Sequence, residues 1–307
     1  MPGALARGDW PAIGHAAERE LPDPTMTLTL RNRILLPTLA LVALVTCVIS
    51  LLSYRMASRS LNEMVDGNMA TICKATVRQI ENWLGNQHDQ LAVLAGQRIY
   101  AQALADGTES AALRTELSGD LARMKALCGY YEDVHLIDTK GLARASSNPG
   151  SVDKLSVADR GYFQEAVKGK STISEALASR TTGNPIVVLA LPVKSGETLH
   201  GVLIGVVDLN WFSSRFISNI KVLQTGYVFV HDEKGLFLAH PQKEMILKSK
   251  LADFEWGSRV AQQSEGALEY TFEGITKTAV FAKSDQLKWG AVATVPRSEG
   301  NAAAHRM

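Results

Sequence analysis

The sequence predicts an α+β chain: a membrane-spanning helix near the start, a long stalk helix, and two tandem α/β modules built on antiparallel sheets. Three observations carry this expectation. Residues 34–54, ILLPTLALVALVTCVISLLSY, form a run of 21 residues without a charge. Apolar residues then recur at helical spacing, with no proline between residues 38 and 148. Beyond that the period shortens into Val-, Ile- and Leu-rich runs, and one arrangement of those runs occurs twice.

Composition narrows the function classes. The 307 residues include 32 Lys plus Arg against 31 Asp plus Glu, a net charge of +1 that gives no field to gather a polyanion, so nucleic acid is not an expected partner. Three cysteines exclude a disulfide scaffold. A mean hydropathy of zero is high for a chain with 21% charged residues, and the excess sits in the uncharged run.

Residues 1–33 are expected to form a cytoplasmic tail. Its first 24 residues have no sustained apolar period, and Met26, which opens MTLTLRNRILLP, reads as the biological start, making residues 1–25 disordered or an over-extended reading frame. At about 1.5 Å per residue, the helix over residues 34–54 covers the roughly 30 Å hydrocarbon core of a bilayer. A signal peptide is the competing interpretation, but its apolar region is usually about 7 to 15 residues and ends at a cleavage site. Here the run passes directly into a helical pattern. Pro37 is placed in the first turn, where it is tolerated. Arg31 and Arg33 balance Arg55 and Arg59, so flanking charge leaves orientation open.

The stalk helix, residues 55–97, is marked by Leu61, Val65, Met69, Ile72, Ile80, Leu84, Leu91 and Leu94. Its stripe serves as core or as a self-association surface, so a homodimer through the stalk helices is expected. A second helix over residues 109–127 packs back on the first through Leu113, Leu117, Leu121 and Met124.

Strands follow at YEDVHLID, GLARASS, NPIVVLALPV and HGVLIGVVDL, with a short helix over residues 156–167 between them and a linking helix at WFSSRFISNI. The second series holds a hairpin, GYVFVHDEKGLFLAHP, turning at Glu233-Lys234-Gly235, then a helical stretch over residues 243–263, then strands in ALEYTFEG, KTAVFAKS and WGAVATVP. LIDTKGLARASS and FVHDEKGLFLAHP share the order apolar strand, Asp, charged residue, Gly, apolar strand, which marks two copies of one unit. The modules are assigned residues 98–218 and 219–298, and residues 299–307 a tail without a second membrane helix.

This arrangement resembles the double Cache sensor domain of bacterial methyl-accepting chemotaxis receptors and sensor kinases. The resemblance rests on VHLIDTKGLARASS, ADRGYFQEAVKGKSTISEALASRTTGNPIVVLALPV, GVLIGVVDLNWF and TGYVFVHDEKGLFLAHP, in the family's order, and with the stalk covers residues 55–297. It implies two PAS-like modules facing the periplasm, with the ligand in the membrane-distal module; the resembling receptors follow the last strand with a second membrane helix, whereas the one apolar run here gives the expectation of a single-pass protein of the inner membrane. It also implies a site made by an Arg-x-aromatic-aromatic motif, here Arg160, Tyr162 and Phe163, and by an aspartate at a strand end, here Asp208. A guanidinium fork matches a carboxylate, an aspartate pairs with an ammonium group, and aromatic walls add contact and cation-π attraction. The competing interpretation has Arg160 capping a helix and pairing locally with Asp159, and the aromatics in ordinary core.

Departures bear on the ligand. The amino-acid-binding version carries Trp-Tyr after the arginine, and a Tyr and an Asp where ALASRTTG places Leu177 and Ser179. A missing acid weakens the case for an α-ammonium, so an organic anion, or an amine held by Asp208 and the aromatics, fits at least as well as an amino acid. Tyr131, Asp133 and His135 share a strand face by the two-residue period and either line the same pocket or face solvent.

No His-Glu-x-x-His, phosphate-loop, Gly-x-Ser-x-Gly or Gly-x-Gly-x-x-Gly motif occurs, and His88, His135, His200, His231 and His240 are scattered singly. Neither an enzyme, a metal site nor a cofactor is expected. Cys73 and Cys128, on neighbouring helices outside the membrane, are expected as buried free thiols, with a disulfide between them the alternative if they align. The expected function is small-molecule sensing by the ligand-binding part of a transducer, truncated before its output; the alternative is a stand-alone anchored protein that binds a solute or partner.

Overall fold

The computed structural model describes residues 30–105 and 107–306, beginning with helix α1 at Leu30–Ala95. The expectations for residues 1–25 lie outside the described residues. Because α1 begins at Leu30, Pro37 falls inside the helix rather than in its first turn. Residues 34–54 are exposed throughout, and the helix is long and apolar enough to cross a membrane.

Residues from Met56 onward form a separate compact unit. In it α1 buries Met69, Cys73, Val77, Ile80, Leu84, Leu91 and Ala95, a stripe at three- and four-residue steps. A short helix α2 (Arg98–Leu104) follows at once, an element not anticipated from the sequence. Helix α3 (Thr108–Cys128) matches expectation and stops at Gly129, whose φ of 71° is a left-handed cap that glycine adopts without strain.

The first module contains β1 (Tyr131–Asp138), β2 (Ala143–Ser146), α4 (Gly161–Ala166), β3 (Thr172–Ile173), β4 (Leu177–Ala178), β5 (Pro185–Ser195) and β6 (Thr198–Asp208). Its antiparallel sheet runs β2-β1-β6-β5-β3, with β4 also on β5. Helix α5 (Leu209–Phe216) leads into β7 (Lys221–Val222), β8 (Gly226–His231), β9 (Phe237–Ala239), α6 (Gly257–Gln262), β10 (Glu265–Phe272), β11 (Ile275–Lys283) and β12 (Gly290–Pro296). That sheet runs β10-β11-β12-β8-β7, with β9 also on β8. Read as β9-β8-β12-β11-β10, it repeats the order of the first.

The repeat extends to single hydrogen bonds. The Asp138 and Asp232 carboxylates accept from Leu142 N and Leu236 N at 2.9 and 2.8 Å, closing equivalent turns. Gly141 and Gly235 both have positive φ, and their carbonyls accept from Val157 N and Leu251 N at 2.8 Å each. Gly141 also lies so close to Ala158 that a Cβ there would clash.

Those pairings explain two corrections. The helix expected over residues 156–167 is confined to Gly161–Ala166, because the preceding residues bond to the hairpin. The stretch expected as helical over residues 243–263 is two single 3-10 turns and α6. Leu247 N bonds Phe237 O and Phe237 N bonds Ser249 O, each at 3.0 Å, so this backbone pairs with β9 instead of with itself. The expected tail after residue 298 is helical, α7 spanning Arg297–Arg306. Each sheet lays one face on the core shared with α1, and covers the other with its own short helix and turns.

Candidate functional site

The outer face of the first sheet is lined by Ile137, Val188, Val202, Ile204 and Val206, and α4 closes over it. Between α4, the sheet and the β4–β5 connection lies a cavity of about 20 Å³, bordered by Glu132, His135, Arg160, Tyr162, Ser179 and Arg180 among others. Four sequence-predicted residues, His135, Arg160, Tyr162 and Ser179, are thus brought together. It has roughly the room needed for one water, so a larger molecule fits only if a wall moves.

Arg160 is the N-cap residue of α4, with extended φ and ψ of −81° and 131°. Its backbone carbonyl accepts from Phe163 N and Gln164 N, but its side chain makes no cap. The guanidinium reaches instead to Ala178 O at 3.5 Å, while the buried Nε has no hydrogen-bond partner. A buried donor without an acceptor is costly. Local pairing with Asp159 goes to Arg180, which also donates to Ser156 O at 2.5 Å. That contact holds the Asp159 carboxyl below its usual range.

Tyr162 borders the cavity, and burial pushes its phenol up to about 12, so it stays neutral. Phe163 does not border it: consecutive helical residues point about 100° apart, and Phe163 packs into the apolar core behind. The site therefore has one aromatic wall where two were expected. Asp208 sits on the cavity side of β6 by alternation with Val206, yet its Oδ1 accepts from Asn210 N at 2.7 Å and caps α5.

On β1 the two-residue period fails. A register shift between Tyr131 and Asp133 puts Tyr131 in the helix-side core and leaves His135 at the cavity, so the shared face expected for them does not form. Asp133 is buried in an ion pair with Lys125 at 2.9 Å. Burial drives His135 down to about 4, with Asp133 partly opposing, so it is neutral, and its Nδ1 shares a hydrogen bond with Ser146 Oγ at 2.8 Å.

The residue that sequence reasoning missed is Glu132. Its carboxylate accepts from the Ser179 hydroxyl and, at 2.7 Å, from the Thr182 hydroxyl. With Arg180 held at Ser156 and Asp159, residues 179–182 are fastened on both sides as a strap over the cavity. No motif marks Glu132; the bulge that turns it toward the strap is set by pairing across the sheet. Among the described residues no group of three His, Cys, Asp or Glu is placed to hold a metal ion.

Comparison with known proteins now bears on this geometry. The methyl-accepting chemotaxis protein TlpB of Bacillus subtilis is 27% identical over 142 residues, 46% of this chain and 20% of the relative. The methyl-accepting chemotaxis protein PscA of Pseudomonas syringae pv. tomato is 23% identical over 222 residues, 71% of this chain and 33% of the relative. The chain thus spans a third or less of the length of these relatives. The solved ligand-binding domain of Mlp24 with asparagine superposes with a TM-score of 0.59 at 16% identity, covering 81% of this chain and 99% of that one, which shows a common fold. A Cache domain model matches residues 57–304, and the chain, with its two sheet modules in the same strand order, belongs to that family.

Proposed function

We propose that the chain is the sensing portion of a bacterial transmembrane signal transducer of the chemoreceptor type. In this reading residues 34–54 anchor it in the inner membrane as a single pass, the modules stand in the periplasm, and stalk helices of two copies pair. The first module takes a small ligand at Arg160; an organic anion, an amine and an amino acid are the classes to test. The observation that carries the reading is the unpartnered, buried Nε of Arg160 at the wall of a strapped cavity. Support comes also from the relatives, which are chemotaxis receptors. Signalling would require the ligand to favour one of two arrangements of the strap and α4 over the other.

The test is a thermal-shift screen of the full chain in detergent against amino acids, organic acids and amines. A carboxylate-bearing ligand should stabilise the chain by about 3 kcal/mol at 100 times its Kd, and so raise Tm. Arg160→Ala should abolish that shift. An Arg160→Ala protein that responds like wild type removes the site assignment.

A further inference from the structure

We infer that the free edge of β10 is a docking surface for an extended peptide of a partner protein. The peptide adds a strand to the second sheet, with basic side chains on one face and an aromatic or large apolar side chain on the other. This surface is separate from the cavity of the first module and does not depend on it.

The edge itself is the first observation. β10 pairs with β11 at eight successive positions, 265–272 against 275–282, with no register shift. An outer antiparallel strand turns the N–H and C=O groups of alternate residues away from its neighbour. Among the described residues, no backbone group of β10 bonds to anything except β11. The edge strands β2 and β9 are treated differently. Ala143 N bonds Leu155 O at 3.0 Å and Asp153 N bonds Ala143 O at 2.8 Å, covering β2, and residues 247–249 cover β9 in the same way. β10 also lacks the common protections of an edge, having no proline, no lysine and no bulge.

The second observation is a hollow on each face beside that edge, with Glu269 bordering both. Leu268 and Tyr270 belong to the outer core, so by alternation Ala267 and Glu269 lie on the face toward α1. On the outer face the hollow, about 540 Å³, is bordered by Phe254, Trp256 and Tyr270, with Asp253, Glu255 and Arg259 around them. On the α1 face a hollow of about 320 Å³ is bordered by Val65, Asp66 and Arg297. A strand laid along β10 sends successive side chains to opposite faces, and so reaches both hollows.

Charge assigns the side chains. Arg297 is taken by Glu269 at 2.6 Å. Asp66 is half-buried and has no hydrogen bond or ion pair among the described residues. Burial, and after it the Glu269 carboxylate, hold its carboxyl above the usual range. A lysine or arginine entering that hollow supplies the cation that Asp66 lacks. The outer hollow offers ring surface, which an aromatic or large apolar side chain covers. The same pattern argues against a second copy. On the α1 face β10 carries Glu265, Ala267, Glu269 and Thr271, so its copy would bring acids to Asp66 instead of a base.

The experiment uses the full chain in detergent and a fluorescein-labelled peptide, Thr-Lys-Phe-Lys-Thr amide, read by fluorescence polarisation. Saturable binding is expected. Exchanging both peptide lysines for glutamate, or making Asp66→Asn in the chain, should each weaken it by about 10-fold or more. Two further peptides carry an N-methyl group, one on the phenylalanine nitrogen and one on the nitrogen of the lysine after it. In an added strand one of these N–H groups faces β10 and the other faces solvent, so one methylation should abolish binding and the other should be tolerated. Equal loss or equal tolerance of the two overturns strand addition. No binding of the parent peptide, or equal binding of the glutamate peptide, overturns the assignment. Ala267→Cys tests the competing occupant: a disulfide between two chains, absent from wild type and formed without peptide, would give the edge to a second copy. No such link is expected.

Discussion

At the scale of single residues the chain stores a pH dependence in three buried histidines. Burial lowers His135, His231 and His240 from 6.5 to about 4. Each is held neutral by its surroundings. His240 Nδ1 accepts from Gln242 N at 3.0 Å, and His231 Nδ1 donates to Asp232 O at 2.8 Å while its Nε2 has no partner. A folded-state pKa below the unfolded one means the unfolded chain takes up protons first as pH falls. The stability these groups contribute is therefore complete above 6.5 and is lost between 6.5 and 4, up to about 3 kcal/mol for each. Asp232, whose carboxyl burial raises, works in the opposite direction. Denaturant titrations from pH 7 to pH 4.5 should show steadily falling stability, and His231→Asn, which keeps a donor for Asp232 O, should make the slope shallower. A flat profile for the wild type would contradict this account. None of it was legible beforehand, because scattered histidines look alike in sequence and only packing separates the buried ones from His88.

At the scale of elements the linking helix α5 carries the connection between the site sheet and the stalk. It starts at Asp208, the end of the strand bordering the cavity, and presents Trp211, Phe212 and Phe216 to Trp83 on α1 at ring separations of 5.7, 5.9 and 5.4 Å. Tyr130, just before β1, meets the same ring at 5.1 Å edge-on, and its carbonyl accepts from Asp208 N at 3.1 Å. Two strand ends of the site sheet thus converge on one tryptophan. Removing the cap with Asp208→Ala should cost about 1 kcal/mol, and Trp83→Ala about 3 kcal/mol, both read from denaturant midpoints at constant m. Equal stability of Trp83→Ala and wild type would show that the rings merely touch. The helix itself was legible in WFSSRFISNI, because its apolar positions follow the local period. Its partner was not, since 128 positions separate Trp83 from Trp211 and no local pattern encodes that contact. The β1 bulge was hidden for the same reason: alternation predicts a face only while strand pairing stays in register, and Tyr131 and His135 lie on either side of the slip.

At the scale of the whole molecule one fold occurs twice with different contents. Repetition was legible because turns need particular residues: Asp138 and Asp232 close them, and Gly141 and Gly235 supply positive φ. The cavity was half legible. Arg160 and Tyr162 follow from a local motif, whereas Glu132 reaches the strap through a sheet register that no motif records. In the second module the corresponding outer face is filled by Phe229, Phe237, Leu251, Tyr270 and Phe281, with Trp256 and Phe254 stacked beside them. Aromatic filling stabilises that face, and the ligand site proposed above lies in the first module. Every residue used in that assignment lies after Met56, in the compact unit separate from the apolar helix segment. A fragment of residues 56–307 should therefore remain in aqueous solution and give the same ligand-induced Tm shift as the full chain. The full chain should sediment with membranes and resist alkaline extraction, and Leu44→Lys with Val45→Lys should release it, because each charge near mid-span costs about 3 kcal/mol on insertion scales. Loss of the ligand response in the fragment would place part of the binding machinery in the anchor. Release of the unaltered chain by alkali would remove the anchor itself.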